Sequence, residues 1–279
     1  MADGETSNKD SVLPVRGFPT REEQRNAVIL RYLTFRKFIS LLELQAVWFS
    51  KISDLALADA LEGTLPKKAR DCLIARRRKY SDQFASCPEM LTRIQTMTQK
   101  SMVPGQDMFA ANCWYLGSQE TIKMWDGYGE NGEGVAIRST VERLSMSFPN
   151  FGGQVKLSVI DRVQYFDFES YDMNEGDALN VDKVAFLKDK SSAHEKEVRI
   201  LTPNIPFNPD GASLNQEQFA QKGLNINCRL QTLIQAVIVG PRTEPCFFTL
   251  IERLISRYGL GVCVEKSQVA NPVDELPVK

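Results

Sequence analysis

The run Glu195-Lys196-Glu197-Val198-Arg199-Ile200-Leu201 decides how this chain is read. As a strand, it places Glu195, Glu197 and Arg199 on one face. Val198, Ile200 and the stem of Lys196 fall on the other, because successive side chains alternate. Two carboxylates and a guanidinium beside an apolar face describe the wall of a cleft. In such a wall a glutamate holds a sugar hydroxyl or stabilises a developing cation. They equally describe a surface strand with a cross-strand salt bridge, since charged faces are often merely solvated.

Working outward from that run, Asn180 reads as the cap of a helix bearing Val181, Val184, Ala185, Leu187 and Lys188. Residues 203–223 are a loop rich in Pro, Asn and Gly. Ile226–Cys228 is a short strand, Leu230–Gln235 a turn of helix and Ala236–Val239 a strand. Glu244–Tyr258 is a helix ended by Gly259, and Val262–Glu265 is the last strand. On the other side, Val28–Leu33 reads as a strand. Thr34 caps a helix with Phe35, Phe38, Ile39 and Leu42 on one face. Val47–Ser50 and Ala111–Leu116 are strands, and Ser118 caps a short helix through Trp125. Val155–Phe166 is strand-like about Asp161-Arg162. Strands and helices mix without a βαβ rhythm. The expectation is a single α+β domain over 26–268, with a central, largely antiparallel sheet flanked by helices and a helical insert at about 67–102. Residues 1–25 and 269–279 read as tails.

Composition narrows the function. The formal net charge is −1, so no global field draws in nucleic acid or an anionic membrane. No apolar run approaches the roughly 20 residues of a membrane span, and Met1–Asp10 lacks the basic start and apolar core of a signal peptide. The basic group Lys67, Lys68, Arg70, Arg76, Arg77, Arg78 and Lys79 reads either as a phosphate-binding patch for nucleic acid or as a solvated helix face, and the neutral balance and lack of interleaved aromatics to stack bases favour the face. Six cysteines form no C-x-x-C pair, so neither a zinc site nor a redox dithiol is signalled. Most have apolar neighbours, as buried thiols do. A reduced, cytoplasmic protein is expected. The one histidine, His194, reads as structural, because in the strand register it points with Val198.

Gly127-Tyr128-Gly129-Glu130-Asn131-Gly132 matches G-x-G-x-x-G. The motif needs a strand before it and a helix after it. Here a helix precedes, the strand Gly134–Arg138 follows, and Glu130 and Glu133 would repel a pyrophosphate. Glu130–Gly134 is therefore expected to be an exposed turn. Trp125 is expected in the core.

Several blocks together resemble a known family. They are Arg31-Tyr32-Leu33-Thr34-Phe35, Trp48-Phe49-Ser50, Asp59-Ala60-Leu61-Glu62-Gly63, Cys113-Trp114 and Met124-Trp125-Asp126-Gly127-Tyr128. Gly134-Val135-Ala136-Ile137, Phe186-Leu187-Lys188 and Glu195-Lys196-Glu197-Val198-Arg199 complete them. Over about residues 30–267 the chain resembles the widespread, mostly microbial family named domain of unknown function 2971. The family's usual proline before the acidic Glu-Gly pair is absent, and the basic insert is less typical of it. The name implies no activity.

Three classes of function remain. An ADP-ribosyltransferase-like enzyme would use NAD as co-substrate, with none bound permanently, and a protein or nucleic-acid acceptor. By analogy with that superfamily, Glu197, Glu195 and Ser139 would be catalytic, and Arg31, Tyr32, Thr34, Tyr128 and Arg199 would hold NAD. The carboxylate would stabilise the oxocarbenium-like centre formed as the nicotinamide–ribose bond breaks. A metal-dependent nuclease would use Asp59, Glu62, Glu195, Glu197 and Lys188. A non-catalytic ligand- or protein-binding module would need none of this. No resident metal and no membrane partner are expected.

Overall fold

In the computed structural model, residues 12–83, 87–89, 92–93, 106–148, 158–178, 180–204 and 215–269 are described. The chain is α+β, with helices and a large, mostly antiparallel sheet of nine strands. The residues group into two compact units, each assembled from separate stretches. The first comprises Met1–Trp48, Cys113–Ile160 and Asn225–Lys279, and the second Phe49–Asn112 and Asp161–Leu224.

In the first unit, β1 (Val28–Leu33) lies antiparallel between β4 (Val135–Thr140) and β3 (Phe109–Leu116), pairing with the latter through Ile29–Leu116 and Leu30–Tyr115. β10 (Ala236–Val239) adds antiparallel to β4, and β11 (Cys263–Lys266) adds parallel to β10. Alternation along β1 sends Leu30 and Tyr32 into a cluster with Tyr115, Met124, Trp125, Ala136 and Ile238. Tyr32 meets the Trp125 ring edge-on, with centroids 4.9 Å apart. The helix Phe35–Leu44 buries Phe38, Leu41 and Leu42, and the Thr34 hydroxyl accepts the Lys37 amide at 3.3 Å. Both the strand and its cap follow the sequence reading.

Three expectations are corrected in this unit. Residues 12–25 are no tail: Leu13 and Phe18 are buried, and Thr20 opens the helix Arg21–Asn26 with a capping box to Glu23. The cap of the helix Ile122–Tyr128 is Thr121, which accepts from the Met124 amide, rather than Ser118. The glycine-rich run is only partly exposed. Glu130, Asn131 and Glu133 face solvent while Gly132 and Gly134 are buried. A Cβ on Gly134 would stand 2.2 Å from the Leu33 carbonyl oxygen, so this glycine lets two backbones touch.

In the second unit, β2 (Ala46–Lys51) meets β3 through Ser50–Ala111 and Lys51–Ala110. β6 (Gln164–Phe166) and β7 (Leu187–Asp189) form a parallel pair. β8 (Glu197–Pro203) is also a partner of β3. The expected helix after Asn180 is one turn, Val181–Val184, and Lys188 sits on β7 instead. The insert begins with the helix Lys67–Gln83; its reading beyond that lies mostly outside the described residues. Ala69 and Leu73 pack against Leu65, Phe168 and Val184. Lys67 pairs with Glu169 at 2.6 Å on an exposed face, as a solvated helix would.

Trp125 has no exposed surface, which agrees with its sequence reading. Trp125→Ala is expected to cost about 3–5 kcal/mol, the range for deleting a core aromatic. Urea denaturation of the purified variant checks this, and an unchanged midpoint would count against the packing described.

Candidate functional site

β8 does not begin at Glu195. Lys196 takes the left-handed conformation at φ 41°, and its amide closes the 3-10 turn Lys190–Glu195 on the Ala193 carbonyl. Alternation therefore starts only at Glu197, and Glu195 belongs to the turn. Val198 and Ile200 are buried as expected, but Glu197, Arg199, Leu201 and Thr202 are buried too. The strand is covered on both faces, so the expected contrast between a polar wall and an apolar back is absent.

The second unit folds around the Arg199 guanidinium, which has no exposed surface. Its Nε and Nη2 donate to the two carboxylate oxygens of Glu197 at 2.8 and 2.9 Å. Nη1 and Nη2 donate to the two oxygens of Glu62 at 2.7 and 3.1 Å. Nη1 also donates to the Ala185 carbonyl at 2.5 Å. Every N–H of the guanidinium fork is thereby used. Glu62 reaches this place through a tight turn. Gly63 has φ 63°, and a Cβ there would lie 2.4 Å from Ile52 Cγ2. Asp59 Oδ1 accepts the Leu61 amide at 3.0 Å, and the Glu62 carbonyl accepts from Gln106 Nε2 at 2.6 Å.

Lys188 supplies the second cation. Its Nζ lies 2.6 Å from Glu195, 3.4 Å from Glu62, 3.6 Å from Glu197 and 3.7 Å from Asp59. Burial alone would lower its pKa; the Glu197 and Glu62 carboxylates reverse this, and the net direction is upward. The ammonium stands where four carboxylates converge, the position a metal ion would need. Among the described residues no group of three or more His, Cys, Asp or Glu side chains is arranged to hold a metal. The Tyr165 hydroxyl accepts the Glu197 amide at 2.8 Å, and burial raises its pKa.

Of the residues singled out in the sequence, Glu197, Glu195 and Arg199 meet here. Asp59, Glu62 and Lys188, grouped by the nuclease reading, join the same cluster. Tyr165 was not foreseen, and nothing in its local sequence marks it. Ser139, Thr34, Tyr32, Tyr128 and Arg31 lie in the first unit. Ser139 is buried and donates from Oγ to the Leu233 carbonyl at 2.6 Å. Thr34 is engaged as a helix cap. Tyr32 is buried, its hydroxyl near the Thr121 backbone but without a hydrogen bond of normal geometry. Tyr128 is exposed, and Arg31 is half-buried on β1. His194 is exposed, its Nδ1 beside the Ser191 carbonyl. The thiols also differ from expectation: only Cys228 is buried, while Cys72, Cys87, Cys246 and Cys263 are exposed.

Comparison with known protein families, curated proteins and solved structures finds no match for this chain.

Because Arg199 is compensated from two sides, Glu197→Gln and Glu62→Gln are each expected to destabilise the protein by about 3–5 kcal/mol, the usual cost of breaking a buried ion pair. Glu195→Gln, at the more open end of the cluster, should lose clearly less. Urea midpoints of the three variants test the order, and equal losses would contradict it.

Proposed function

We propose that this chain is a non-catalytic ligand- or protein-binding module, in which the Glu-x-Glu segment is structural. The supporting observation is that both carboxylate oxygens of Glu197 are held by the Arg199 fork. A transferase glutamate has to present an oxygen to the ribose or to the developing cation. Here that charge is already compensated by Arg199 and Lys188. A metal-dependent nuclease is supported less, since the Lys188 ammonium occupies the point where the carboxylates converge. The resemblance to domain of unknown function 2971 is retained within this proposal, resting on the sequence blocks alone. A reducing, cytoplasmic setting is part of it as well, supported by the four exposed thiols.

The test is nicotinamide release from NAD, with and without cell lysate as a source of acceptor, alongside calorimetry with NAD. Neither turnover nor binding is expected. Nicotinamide release that disappears in Glu195→Gln or Glu197→Gln, in a variant that remains folded, would replace the module with the transferase. Mg²⁺-dependent cleavage of nucleic acid, lost in the same variants, would replace it with the nuclease.

A further inference from the structure

Arg31 sits in the middle of β1, opposite Ile137 of β4 and on the other face of the strand from its buried neighbours Leu30 and Tyr32. Its surroundings differ from those of Arg199. The guanidinium carbon lies 5.8 Å from the centroid of the Trp114 ring. Nη2 makes one long hydrogen bond, 3.4 Å, to the Trp48 carbonyl. Nη1 is sealed from solvent and has no acceptor among the described residues. Among the described residues, the ionisable groups that act on Arg31 are the thiols of Cys113 and Cys228. Burial of this side chain lowers its pKa to about 10.

A cation removed from water without a counter-ion is costly, and proteins ordinarily supply a partner. At Arg199 the chain supplies two. At Arg31 the described residues supply one carbonyl and an aromatic face. Arg31 is nonetheless only half-buried as a residue, so solvent reaches part of it, and the adjoining Trp48 is 40% exposed.

We infer that Arg31 anchors a binding site for an oxyanion, the carboxylate or phosphate group of a ligand, which completes the charge that the fold leaves uncompensated. The ligand would meet the solvent-reached edge of the guanidinium, where Nη2 makes only the long bond to the Trp48 carbonyl, and guanidinium N–H donors match both groups. Trp114 behind it holds the plane of the fork by a cation–π contact. The inference rests on the binding-module reading and names the charged group such a module would recognise.

The experiment measures thermal midpoints and calorimetric titrations in phosphate, in acetate and in chloride at matched ionic strength. It uses the full chain, Arg31→Lys and Arg31→Met. Phosphate, acetate or both should stabilise the wild type over chloride in a saturable way. Response to phosphate alone would identify a phosphate ligand, and response to acetate a carboxylate. Arg31→Met should bind the active anion at least about tenfold more weakly, as expected when a hydrogen bond to a charged group is lost. Arg31→Lys should fall between, keeping the charge but losing the fork. In chloride, Arg31→Met should keep or raise the wild-type midpoint, because an unpaired buried charge has been removed. A midpoint lowered in chloride would make Arg31 a structural residue and overturn the site. So would an anion effect equal in wild type and Arg31→Met, or no effect of either anion on the wild type. Such a failure beside a negative NAD assay would leave the module standing and remove only this site.

Discussion

A guanidinium with no access to water has to find an acceptor for every N–H, and the second unit is organised by that requirement. Arg199 is carried by a strand covered on both faces, so its five donors cannot be left to solvent. Glu197 comes from the same strand and Glu62 from a turn more than a hundred residues earlier. Ala185 supplies a backbone carbonyl. The turn at Gly63, the short 3-10 segment before β8 and the placement of Lys188 on β7 all deliver a charge to this one point. Buried ion pairs are not reliably stabilising against a well-packed apolar alternative. Their known use is to fix one arrangement against others, and here Glu62 and Ala185 enter from segments other than the strand that carries Glu197 and Arg199.

Much of the first unit was legible in the sequence. Val28–Leu33, the Thr34 cap, the Ala236–Val239 strand and the last helix each carry local signals, whether alternation, a hydroxyl at the cap or a terminal glycine. What failed was equally local in cause. Ser118 and Thr121 are both acceptable caps, and the choice between them depends on where the helix docks. Lys188 continues an apolar pattern compatible with a helix, yet pairing with β6 puts it on a strand. The Glu-x-Glu alternation was sound from Glu197 onward, but no sequence rule announced a left-handed lysine at 196.

The candidate site was legible as a list of residues and not as chemistry. Glu62, Lys188, Glu195, Glu197 and Arg199 were all marked by residue type, and they do converge. Whether a carboxylate faces a ligand or a neighbouring arginine is decided by packing, and it is invisible in spacing. The same holds for arginine. Arg199 and Arg31 both lie on strands beside apolar residues, but one is fully compensated and the other keeps a sealed N–H without an acceptor among the described residues. Only atomic positions separate the two environments.

The central claim is that Glu197 serves Arg199, and a double-mutant cycle tests it most directly. Urea unfolding of wild type, Glu197→Gln, Arg199→Met and the double variant gives their coupling energy. The account predicts strong non-additivity, on the order of 2–3 kcal/mol, with the double variant little worse than the more damaging single one. Losses that add to within about 0.5 kcal/mol would contradict it, because independent residues behave in that way.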